Sequence, residues 1–150
     1  MGVDNMNYVY RSGYGITVSY QNKHIDMNIS MQSFINMLCL QHFTTFEGSK
    51  QASKVLLKTT HKLPVFISDE LLLFPTHSIR HNDVIYINFS NILYTKETVQ
   101  NNAVFIFKNG EKLVSKQSFN KIKLQLLKTE KLLENRKFHQ LKVFTMMAKQ

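Results

Sequence analysis

Polar and apolar positions alternate loosely between residues 8 and 30: Tyr8 and Tyr10, then Ile16, Val18 and Tyr20, then Ile25, Met27 and Ile29. The breaks fall at Ser12-Gly13 and at Gln21-Asn22-Lys23. A period of two with turn residues between the runs predicts two or three strands. Residues 31–40, MQSFINMLCL, are short and apolar, and strand and helix both stay open there. Glu47-Gly48-Ser49 predicts a helix start with Ser49 as the N-cap, giving a short helix near 48–57. Lys50, Lys54, Lys58 and Lys62 recur every fourth residue, and on a helix the first two or three share one face. The β-branched residues between Val55 and Thr60, and then Pro64, predict an extended segment after it.

Pro64 to Ser68 and Leu71 to Pro75, separated by Asp69-Glu70, read as a hairpin. Val84 to Phe89 and Val104 to Phe107 read as strands, and Asn109-Gly110 predicts a type I′ turn into Glu111 to Val114. The period changes at Ser118. Phe119, Ile122, Leu126, Leu127 and Leu133 form an apolar stripe, with Leu124 and Leu132 off it and Lys121, Lys123, Lys128 and Lys131 on the other face. This predicts an amphipathic helix near 117–135. Past Asn135 the pattern weakens, and Leu141, Val143, Phe144, Met146 and Met147 either dock or face a partner. Together these elements predict an α+β fold: a small curved antiparallel sheet with two helices, in one domain over residues 1–150 (a body to residue 116 and a basic helical part from 117).

Composition supports a packed domain. Of 150 residues 43% are hydrophobic and 19% charged, and no apolar run approaches the roughly 20 residues of a membrane span. The opening residues lack the basic and then apolar regions of a secretory signal, and Cys39 has no second cysteine, so a reducing cytoplasm is expected. Charge adds a direction. The chain carries +9, and from Lys112 onward ten bases meet only two acids, a net of +8. Such an end suits a polyanion: nucleic acid, a ribosome or a membrane surface. A membrane-surface helix calls for bulky aromatics along its apolar face, where only Phe119 and Phe138 serve. Of the 19 bases only Arg11, Arg80 and Arg136 are Arg. With the many Asn and Ile this points to a genome rich in A and T, which lowers the weight of Lys choice by itself.

Catalytic and metal chemistry find little support. His77 and His81 are four apart but follow Phe74-Pro75, where a helix is not expected, and two loop histidines are the plainer reading. Cys39 with His42 has the spacing of a nucleophile and base, yet a cysteine in an apolar run is more simply a small core residue. The chain has no CxxC, no Gly-rich phosphate loop, no nucleophile elbow and no paired-carboxylate motif. No enzymatic activity, metal or cofactor is expected. The Lys series and the basic helix also have a bland reading as solvated faces.

Longer strings are more specific. Phe43-x-x-Phe46-Glu-Gly48-x-Lys50, Thr60-His-Lys62-x-Pro64-Val-x-Ile67, Leu73-Phe74-Pro75-Thr76-x-Ser78 and the segment Val84 to Phe89 occur in order. Val104-Phe-Ile-Phe-x-Asn109-Gly110 and then Ser118-Phe119-x-x-x-Ile122 follow. In order and spacing these resemble the ComK family of bacterial competence transcription factors over roughly residues 34–133. The resemblance implies a cytoplasmic, nucleoid-associated activator of DNA-uptake and recombination genes. Such an activator binds paired A/T-rich boxes through the minor groove as a homodimer or higher oligomer. RNA polymerase and a Clp-protease adaptor are further partners it implies. The chain has Ala52-Ser53 where the family often has a second Gly. It also stops at Gln150, where longer members continue to a Leu-Tyr-Pro type motif, so adaptor recognition is expected to differ.

The resulting expectation is docking on phosphates by Lys50, Lys54, Lys58, Lys62, Lys121 and Lys123, with Arg80 entering the minor groove. Phe119, Ile122, Leu126 and Leu133 either pack on the sheet or make the dimer surface. The alternative is a basic module that binds nucleic acid or membrane surfaces without reading sequence.

Overall fold

The structure, a computed structural model, describes residues 2–148, with side chains described through residue 137. The elements in chain order are β1 (Tyr8–Ser12), β2 (Gly15–Tyr20), β3 (Lys23–Met27), α1 (Met31–Leu40), α2 (Phe46–Leu57), β4 (Val65–Ser68) and β5 (Leu71–Pro75). Then come β6 (Ile85–Asn88), a 3₁₀ turn (Phe89–Asn91), β7 (Ile92–Glu97), β8 (Asn102–Phe107), β9 (Lys112–Ser118) and α3 (Phe119–Ala148). The α+β class and the C-terminal helix stand as expected, with the strands divided between two open antiparallel sheets. One has the order β3-β2-β1-β6-β5-β4 and the other β7-β8-β9.

The larger sheet is covered on both faces, and its alternation sorts residues between two cores. Val9, Val18, Leu73 and Tyr86 pack against Met31, Phe34, Ile35 and Leu38 of α1 and Phe46 of α2. Tyr8, Phe74 and Ile87 point the other way and meet Ala103, Phe105 and Phe107 of β8 and Ile122 of α3. A strand buried on both faces reads as a continuous apolar run, which accounts for Leu71-Leu-Leu-Phe-Pro75.

The structure decides one open segment and departs from local expectation in four places. Residues 31–40 form a helix, because Ser30 caps it by accepting from Ser33 N and its apolar positions bury against the sheet. The α2 cap is Thr45, which accepts from Gly48 N at 2.9 Å, whereas Ser49 lies inside the helix and donates to Phe66 O at 2.5 Å. The helix also keeps Val55 and Leu57, so the extended segment starts later than expected. The Asn109-Gly110 hairpin exists, but it is not type I′: Gly110 alone has positive φ (+92°), and its N–H donates to Phe107 O at 2.9 Å. This is a type I turn followed by a left-handed glycine, the three-residue loop. Finally Ile92–Glu97, whose pattern predicts no element, is an edge strand.

The apolar side of α3 packs within the chain. Phe119, Ile122 and Leu126 join the core around Phe105, and Leu133 joins Leu57, Leu72 and Leu132. Leu132, expected off the stripe, is buried, whereas Leu127, expected on it, is exposed. The true seam is Ile122, Gln125, Thr129 and Leu132, spaced by three and four residues with two polar members. Leu141, Val143, Phe144, Met146, Met147 and Phe138 lie outside the residues whose side chains are described.

Candidate functional site

Three segments far apart in sequence converge beside α2. One flank of that helix carries Lys50 and Lys54, the following loop carries Lys62, and the β5–β6 loop contributes Ser78 and Ile79. Between them lies an open cleft of about 380 Å³ with Leu63, Pro75 and Tyr86 among its apolar lining. Burial raises the Tyr86 hydroxyl, against the pull of nearby Arg11, so Tyr86 stays neutral. Lys50 is partly restrained: it lies 4.4 Å from the centroid of the Phe46 ring and pairs with Glu47 at 2.8 Å.

The loop between α2 and β4 is held by backbone and side-chain devices. Lys58 caps α2 in the left-handed conformation (φ +54°), with its N–H donating to Lys54 O. Lys62 is left-handed as well (φ +46°). Two groups of α3 then clamp this loop, Gln125 Nε2 donating to Lys62 O at 2.6 Å and Lys128 Nζ to His61 O at 2.9 Å. Burial, and then the Lys62 charge, lower the Lys128 ammonium from its ordinary value.

Arg80 stands exposed in the β5–β6 loop. Arg11 of β1 fixes that loop from below, donating to the carbonyls of Ile79 (2.5 Å) and His81 (2.9 Å) on either side of Arg80. His77 and His81 stack there, ring centroids 4.3 Å apart and 20° from parallel. Burial and then His81 push the His77 imidazole down; Asp83 opposes this, and Lys62 and Lys121 add to it. Lys121 lies one turn before Gln125, whose amide reaches Lys62 O, so it stands on the face of α3 turned toward the Lys62 loop. Because successive helix residues are about 100° apart, Lys121 and Lys123 flank buried Ile122 on opposite sides, and Lys123 points away. Among the described residues no group of three His, Cys, Asp or Glu is placed to hold a metal ion. Cys39 is fully buried and its thiol is pushed up to about 11 by burial, which disfavours the thiolate that a nucleophile needs.

The structure therefore brings Lys50, Lys54 and Lys62 together at one cleft, sets Arg80 and Lys121 near its end, leaves Lys58 exposed beyond the lining, and separates Lys123. Arg11, Gln125 and Lys128 escaped sequence reasoning. Lys121, Gln125 and Lys128, at i, i+4 and i+7, do form a polar seam beside the apolar stripe, a signal that was available. Arg11 bonds to partners 68 and 70 residues away and left no local trace.

Cations arrayed around a shallow apolar floor can bind phosphates. A family model described as ComK protein matches residues 8–140. The chain belongs to the ComK family. ComK proteins are competence transcription factors. Comparison with curated proteins and with solved structures returned no match. Among the described residues of this ComK chain, no helix is long and apolar enough to cross a membrane.

Proposed function

We propose that this ComK protein activates competence genes by binding A/T-rich promoter boxes through the α2 cleft, with Arg80 entering the minor groove. The observation that carries this reading is the convergence of Lys50, Lys54 and Lys62 on one cleft beside a rigidly mounted Arg80 loop. Arg suits a narrow A-tract groove because its planar guanidinium is more weakly hydrated than an ammonium. Lys58 and Lys121 extend the cation array along the phosphate backbone, and Lys123 reaches phosphates on the outer side of α3. Paired boxes call for a homodimer or higher oligomer. RNA polymerase and a Clp adaptor are the further partners consistent with a regulated activator, acting at the nucleoid in the cytoplasm.

The test is an anisotropy titration at physiological salt of a duplex with two spaced A/T boxes against a G/C-scrambled duplex of equal length. A preference of tenfold or more, about 1.4 kcal/mol, is expected, and it should shrink on Arg80→Ala. Equal affinity for the two duplexes would overturn sequence reading and leave a non-specific basic module.

A further inference from the structure

The α1–α2 loop contains a residue whose conformation and environment are both unfavourable for it. After α1 the chain closes a paired C-terminal turn, with Phe43 N–H donating to Leu40 O at 3.2 Å and Thr44 N–H to Cys39 O at 3.1 Å. In that motif the residue at the Phe43 position is left-handed, and glycine is the usual occupant. Phe43 has φ +62° and is 99% exposed, so the turn sets its backbone conformation while nothing in the fold covers the ring. Leu40, one turn back, is 58% exposed.

Beside this residue lies an apolar groove of about 370 Å³ between α2 and α3. His42 and Thr44, the neighbours of Phe43 on either side, line it together with Gly48 and Ala52 of α2, Phe66 of β4 and Leu132 of α3. Arg136 at its edge is already engaged, lying 3.9 Å from the Phe66 ring centroid and 3.4 Å from Asp69. A cavity of about 150 Å³ is enough to hold benzene, so this groove has room for a phenyl ring. The Phe43 ring does not fill it.

From this knob and hole we infer that Phe43 of one ComK chain seats in the α2–α3 groove of a second copy, and the reverse, in a two-fold dimer. The occupant is a second copy because both halves of the contact sit side by side on one chain, as an isologous interface requires. A different partner would need only one of them. Charge agrees: the groove flank of α2 is neutral (Gly48, Ser49, Ala52, Ser53), whereas Lys50 and Lys54 occupy the opposite flank. Pairing through the groove leaves both basic clefts open. The dimer supplies the two-fold partner that the proposed function uses, but its geometry does not depend on DNA.

Sedimentation velocity of the full chain without DNA tests it. The wild type is expected to show concentration-dependent dimerisation, and Phe43→Gly and Ala52→Trp each to raise the dimer dissociation constant at least tenfold while both chains stay folded by circular dichroism. Mixing the two variants should restore part of the dimer, since the Ala52→Trp chain keeps its knob and the Phe43→Gly chain its hole. A wild-type chain that stays monomeric, variants that dimerise as tightly as wild type, or a mixture that fails to pair would overturn the inference. Phe43→Gly should still bind a duplex with a single box as tightly as wild type. Loss of that binding would place Phe43 on DNA and overturn it too. If the dimer forms but no duplex preference appears, the DNA reading fails and the interface stands.

Discussion

Side chains carry the first lesson in their backbone angles. Lys58, at the left-handed cap of α2, sits where glycine relieves strain, and it is exposed just beyond the cleft lining. A non-glycine residue held in this conformation costs on the order of 1 kcal/mol. Lys58→Gly is therefore expected to raise stability by about that much, or about 2–4 °C in Tm, while weakening duplex binding. Thermal melts and anisotropy titrations on one sample separate the two effects, and a variant that gains stability with unchanged affinity removes Lys58 from the interface. The four-residue spacing of the lysines was legible, because helical period is a local property. The left-handed angles at Lys58 and Lys62 were not, since no turn residue such as Gly or Asn marks either position.

Between elements, the main clasp is the β8–β9 turn on the first sheet. Glu111 accepts hydrogen bonds from Asn7 Nδ2 and Tyr8 Oη at 2.8 Å and from Ser19 Oγ, and it pairs with His24 Nε2 at 3.0 Å. Burial by itself would raise the Glu111 carboxyl, but the Ser19, Asn7, Tyr8 and His24 contacts together hold it below the usual carboxylate range. A carboxyl with a lowered folded-state pKa stabilises the fold above its unfolded value, 4.5. That stabilisation disappears as pH falls through the folded value. Glu111→Gln should thus lose on the order of 1.5–3 kcal/mol at neutral pH and lose less on acidification than wild type, measurable by urea unfolding between neutral pH and pH 3. An unchanged acid profile would mean that the clasp is not held by the charge. Sequence showed the hairpin through Asn109-Gly110 and Val104 to Phe107. It did not show the docking partners, which lie 87 to 104 residues away. Nor did it show β7, an edge strand whose outward Lys96 and Glu97 blur the period of two.

At the scale of the molecule, charge and topology act together. Of the net +8 from Lys112 onward, +5 falls on α3 (seven bases against Glu130 and Glu134), and only its Lys121 side turns toward the α2 cleft, so net charge overstates the number of phosphates met at one time. Replacing Lys50 and Lys54 together by Ala should reduce the slope of log affinity against log salt by about 2, near 0.9 for each phosphate that is no longer neutralised. A slope that does not change would place DNA elsewhere on the surface. Two classes of information separate here. The amino-acid sequence by itself determined the class of the fold, the hairpins, the amphipathic C-terminal helix, the basic end and the likeness to ComK, because periodicity, turn chemistry and composition are encoded among near neighbours. Tertiary structure alone decided which lysines share a cleft, that Arg11 mounts the Arg80 loop, that Ile122 belongs to the core, and that Phe43 is left bare beside a hole. Each of these depends on contacts or surroundings set by segments distant along the chain, and such contacts follow from packing two cores against one sheet rather than from any local pattern.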